Sequence, residues 1–89
     1  DTKDCKSNFL IRVKVKDRIE AMNEIAGLFS RFEFIFPERA KLGRPIDKDQ
    51  AIFIAYDIYE TDIDKRIDLL GTADCIDNVL SILRVEGEA

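Results

Sequence analysis

The sequence predicts an α+β domain in which four strands and two helices alternate in the order strand, helix, strand, strand, helix, strand. Three observations carry this. "FLIRVKVK" (Phe9–Lys16) alternates apolar and polar residues at a period of two. "DRIEAMNEIAGLFSRF" and "TDIDKRIDLLGTA" place apolar residues at helical spacing. "KDQAIFIAYDIYET" (Lys48–Thr61) is a long β-branched and aromatic run bounded by polar turn residues.

In strand one, Phe9, Ile11, Val13 and Val15 share one face, and Leu10, Arg12, Lys14 and Lys16 the other. Asp17 followed by Glu20 resembles a capping box, so helix one is predicted from about Arg18 to about Ser30. Its buried stripe is read as Ile19, Met22, Ile25, Ala26 and Phe29. Phe32, Phe34 and Phe36 alternate as a second strand until Pro37, with a further extended piece expected over Arg39–Leu42. Gly43, Pro45 and "DKDQ" then turn the chain into strand three, Ala51–Glu60. Its even positions Ile52, Ile54 and Ile58 are assigned to the core, and Phe53, Ala55, Asp57 and Tyr59 to the uncovered face. Helix two opens at Thr61 or Asp62 and points Ile63, Ile67, Leu70 and Ala73 inward. Asn78 is expected in a left-handed turn that closes it, before a last strand over Val79–Val85.

Right-handed crossovers interleave the two strand–helix–strand halves into one antiparallel sheet, with strands one and three central and both helices on one face. The expectation is a ferredoxin-like βαββαβ sandwich over residues 9–86, between a polar leader (1–8) and a short tail (87–89).

At 89 residues the chain has room for one modest core. It has 46% hydrophobic and 36% charged residues, the balance of a globular protein. No apolar run approaches a membrane span, and "DTKDCKSNF" has no secretory hydrophobic region, so a cytoplasmic protein is expected. There is no histidine, which removes the commonest general base and transition-metal ligand. Cys5 and Cys75 are too far apart in sequence for a metal-binding pair. Neither catalytic residues, metal nor cofactor are expected, and Asp64 and Asp68, one turn apart, read as a solvated surface pair. Net charge is −4, but residues 1–48 sum to +3 and residues 49–89 to −7. Such asymmetry suits attraction between copies or a local basic patch. "KLGRPIDK", with Lys41, Arg44 and Lys48 around one glycine, reads as a solvated hairpin tip rather than a phosphate cradle.

The RNA-recognition motif has the same topology and stacks bases on aromatics of its central strands. Phe53 and Tyr59 beside Arg12, Lys14 and Lys16 supply similar ingredients. Strand one, however, has no aromatic on that face, Asp57 lies in the phosphate path, and the pI is about 4.8. Direct nucleic-acid binding is therefore the alternative reading.

The leading reading follows from a resemblance. "DRIEAMNEIAGLF", "RAKLGRPIDKDQAIFIAYDIYETD" and "LLGTADCIDNVLSI" resemble the small regulators associated with iron-only hydrogenase systems. Those are similar to ACT domains and to the C-terminal domain of nickel-responsive repressors. The resemblance spans about Phe9–Val85 and implies a non-enzymatic regulatory domain, with a role in transcription regulation, that assembles as a homodimer or homotetramer. It also implies a small effector near the first strand–helix turn, here Lys16, Asp17 and Arg18. Two departures stand out: "VKDRIEA" lacks the glycine that lets an ACT backbone approach its ligand, and the repressors' metal-binding histidines are missing. Contacts between copies are expected at Leu10, Arg12, Phe53, Ala55, Tyr59, Leu80 and Ile82, through strand edges or the uncovered face.

Overall fold

The computed structural model describes residues 5–35 and 49–86. Along the chain these form β1 (Lys6–Val15), α1 (Arg18–Leu28), β2 (Phe32–Ile35), β3 (Gln50–Tyr59), α2 (Ile63–Gly71) and β4 (Ile76–Val85). The four strands make one antiparallel sheet in the order β2-β3-β1-β4, which places β1 and β3 at its centre. This α+β arrangement is compatible with a ferredoxin-like fold. The extended piece expected at Arg39–Leu42, the turn at Gly43 and Pro45, and the tip holding Lys41, Arg44 and Lys48 lie outside the described residues, as does Phe36.

β1 behaves as its alternation requires. Phe9, Ile11, Val13 and Val15 are buried, and Leu10, Arg12 and Lys14 between them are not. The facing of β3 is the reverse of the expectation over its first half. Ala51, Phe53 and Ala55 are buried, whereas Ile52 and Ile54 are only half-buried. Register is the physical cause. Residues directly opposed in a ladder project to the same face, and β3 pairs Phe53 with Ile11, Ala55 with Phe9 and Ala51 with Val13. Phe53 sits 5.3 Å from the Phe29 ring and 6.0 Å from the Phe34 ring, with the two alanines beside it leaving it room.

Ile58 is nevertheless buried, at an even position. Between the pairs Phe9–Ala55 and Ser7–Ile58, β1 advances two residues and β3 three. That extra residue is a β-bulge, and it inverts the phase of the strand beyond it. Asp57 occupies the bulge with φ of 57°, the one non-glycine residue in left-handed conformation among the described residues. Asn78 does not share that conformation: it lies within β4 opposite Lys14, because the strand starts at Ile76, earlier than expected.

In α1, the Asp17 carboxylate accepts the Glu20 N–H at 3.1 Å, so the expected cap forms. The buried stripe is Ala21, Ile25 and Phe29, with Leu28 beside it. Ile19 is 72% exposed and Ala26 also faces outward, contrary to expectation. The spacing 21, 25, 28, 29 is itself a helical stripe. Its first member, Ala21, is small and carries a weaker apolar signal than Ile19. No basic residue lies in the last turn of α1. Arg66 of α2 substitutes from outside, donating to the Leu28 carbonyl and stacking over Phe29. α2 contributes Leu70 to the core, with Ile63, Ile67 and Ala73 packed against it. Of the residues of β4, only Ile76 is buried.

Candidate functional site

Three places could carry function: the turn from β1 into α1, the sheet surface away from the core, and the end of the sheet where β1 begins and β4 finishes.

At the first, each of the effector candidates has a structural partner. Asp17 caps α1. The Lys16 ammonium donates to the Asp74 carbonyl at 3.4 Å and lies 3.8 Å from the Asp77 carboxylate. Its backbone N–H donates to the Cys75 carbonyl at 2.9 Å. Arg18 donates from Nε to the Gln50 carbonyl at 3.2 Å. These bonds tie the turn to the α2–β4 junction on one side and to the start of β3 on the other. Cys75 belongs to the same junction: its N–H donates to Glu24 Oε1 at 2.9 Å. Desolvation pushes its thiol pKa up, with the charges of Glu24, Glu20, Asp17 and Asp74 acting in the same direction. A thiol held protonated is a poor nucleophile.

The second place differs from the expected surface. Phe53 and Ala55 are fully buried, so neither can line it. Ile82 pairs with Ile11 and thus points to the core side, yet it is 39% exposed. Leu10, Arg12 and Tyr59 do lie on the face away from the core, with Tyr59 opposite Lys6. What fills the middle of that face is the set that the even positions of β3 assign to the core. Ile52 and Ile54 stand opposite Arg12 and Leu10, and Ile35 and Glu33 stand opposite them across β2. Leu83, 58% exposed, continues the apolar row from Leu10 onto β4. Tyr56 at the border donates its hydroxyl to Glu33 Oε1 at 2.9 Å. That bond, then burial and the Glu33 charge, push its pKa above the ordinary tyrosine value, against an opposing pull from Arg31.

Among the described residues β4 is the longer edge of this sheet and has no strand on its outer side, whereas the other edge, β2, has four residues. Its register slips twice against β1, between Arg12 and Val13 and between Lys14 and Val15. Both irregularities fall toward the first half of β4, around Leu80 and Asp77. Beyond them Ser81, Ile82, Leu83, Arg84 and Val85 pair in an unbroken ladder on one side only. Leu80, Ile82 and Leu83 are all exposed there, Ile82 and Leu83 on opposite faces.

The third place is an open polar cleft of about 290 Å³ lined by Lys6, Ser7, Asn8, Asp57, Arg84, Val85 and Glu86. The bulge shapes its floor: the Asp57 N–H donates to Asn8 Oδ1 at 2.9 Å, and Arg31 pairs with the Asp57 carboxylate. One signal for it is present in the sequence, an aspartate inside an otherwise apolar strand.

Among the described residues no cluster of histidine, cysteine and carboxylate side chains suits a metal ion, and no helix is long and apolar enough to cross a membrane. Asp64 and Asp68 are both exposed on α2. Comparison with protein-family models returns no match, and comparison with curated proteins returns none either.

Proposed function

We propose that this chain is a non-enzymatic regulatory module of ferredoxin-like fold that works by self-association, with a small effector as its input. Both helices are taken to cover the core face, which leaves the opposite face and the β4 edge for contacts between copies. The observation that carries the reading is the second half of β4. Edge strands in monomers are ordinarily short, bulged or studded with lysine and proline. Residues 81–85 have none of these features, and Leu80, Ile82 and Leu83 beside the free edge are solvent-exposed.

A two-fold axis near Ile82 would set Ile82 opposite its own copy and Leu80 opposite Arg84, with no like charges facing. Joining two sheets in this way also brings the two Leu83 side chains close on the apolar outer face. The nucleic-acid alternative is weakened, because Phe53 is buried and Tyr59 alone remains of the aromatics it named.

Light scattering over about 10–100 μM tests the reading, since an interface above about 1,000 Å² is normally populated there. The expected mass is twice the 10.2 kDa of one chain. A mass of one chain throughout that range would remove the self-association claim.

A further inference from the structure

We infer that the cleft at the sheet end, between the start of β1 and the end of β4, is a binding site for a small oxyanion. The inference concerns groups within one chain and does not depend on assembly. Lys6, on the outer face opposite Tyr59, and Arg84, on the core side opposite Phe9, reach the cleft from the two sides of the sheet end. The ion pairs among the described residues are Lys16–Asp77, Arg31–Asp57 and Arg84–Glu60, so the Lys6 ammonium has no carboxylate partner among them. It sits instead 4.8 Å from the centre of the Tyr59 ring, an interaction that leaves its N–H donors unspent.

Arg84 gives one nitrogen to Glu60 Oε1 at 3.2 Å while its side chain stays 64% exposed. A planar guanidinium fastened at one end still presents a second pair of donors, and a bidentate oxyanion fits such a pair. Glu60 is fixed from its other oxygen by the Ser7 hydroxyl, so the arginine is oriented rather than merely neutralised.

The acidic groups are arranged to permit this. Asp57 is turned out by the bulge and neutralised by Arg31. Glu60 is shared between Ser7 and Arg84. Only Glu86 among the lining carboxylates lacks an ion-pair partner among the described residues, and it counts against a multiply charged ligand. Left-handed backbone at a non-glycine residue is costly and gathers at functional sites. Here it occurs once among the described residues, on the cleft wall. The volume is at the low end for ligand sites, which selects a small acid over a nucleotide.

The shared chemistry is a singly charged oxyanion, either an inorganic anion or a small organic carboxylate. The test is an amide-shift titration of the whole chain by NMR at constant ionic strength, with nitrate in one arm, acetate in a second and sodium chloride as control. Saturable shifts are expected at Ser7, Asn8, Asp57, Arg84 and Val85. The arm that saturates at lower concentration identifies the source.

Lys6→Gln and Arg84→Gln should each weaken binding about tenfold or more, while Lys14→Gln, on the same sheet face but away from the cleft, should not. Lys6 is exposed, so its variant is expected to fold even where the arginine variant disturbs Glu60. Shifts that fail to saturate in both arms would overturn the inference. So would shifts centred on Arg12 and Lys14, or equal binding by the Lys6 and Lys14 variants. Because the titration reads a single chain, its failure leaves the measured mass of the assembly untouched.

Discussion

β3 and β4 each run for ten residues, and both are largely apolar, with Ile, Phe, Ala and Tyr in β3 and Ile, Val and Leu in β4. Yet β3 buries Ala51, Phe53, Ala55 and Ile58, and β4 buries Ile76 alone. Composition does not account for the difference; position does. β3 is paired on both sides and lies against α1, and its aromatic centre meets Phe29 and Phe34. β4 is paired on one side, and α2, only nine residues long, packs against it. A helix of that length spans about 14 Å, less than half of a ten-residue strand. An apolar pattern therefore states that a strand must be covered, and topology decides whether its own chain supplies the cover.

Phe53→Ala should cost about 3–5 kcal/mol in denaturant melts, since it empties the centre of the aromatic cluster. Ile54→Ala, one residue along on the half-buried face, should cost about 1 kcal/mol. Reversal of that order would restore the facing expected from sequence. Next comes the bulge. Asp57→Val should lose about 1–2 kcal/mol from its left-handed backbone. Asp57→Gly should stay within about 1 kcal/mol, because it keeps the conformation and removes only an exposed ion pair. Equal losses would show that the Arg31 contact, and not the backbone, sets the cost.

Ultraviolet titration should find one tyrosine ionising above the ordinary value near 10, and Glu33→Gln should bring it down. The sign for stability follows from proton linkage. The folded chain holds the Tyr56 proton more tightly, so this contribution is complete below the ordinary value and is lost as pH rises through the elevated one. A titration unchanged in Glu33→Gln would mean that the Tyr56–Glu33 bond does not persist in solution.

Much of the architecture was legible in the residues. Alternation in Phe9–Lys16, the Asp17–Glu20 cap and the 63, 67, 70, 73 spacing marked β1 and both helices where they occur, because each is a local pattern. The facing of β3 was not legible: Ile, Phe and Ala at successive positions make either face apolar, and only pairing with β1 chooses between them. The same ambiguity displaced the candidate surface, removing Phe53 and Ala55 from it and bringing in Ile52, Ile54 and Leu83. The bulge at Asp57 could have been suspected from a charge inside an apolar strand. The cleft it helps to form joins residues some 50 and more positions apart, and no spacing rule reaches that far.

Amide hydrogen exchange read at low and high protein concentration shows whether copies join through the β4 edge. If copies join through this edge, those amides of residues 80–85 that point away from β1 should gain protection between about 1 μM and about 100 μM, the range in which an interface above about 1,000 Å² becomes populated. Those of Phe32–Ile35, on the opposite edge of the same sheet, should exchange at the same rate at both concentrations. Leu83→Lys, at a position already exposed in the single chain, should abolish the gain without unfolding the domain. Exchange in residues 80–85 that does not change with concentration, or a gain in protection confined to β2, would contradict the assembly proposed for this chain.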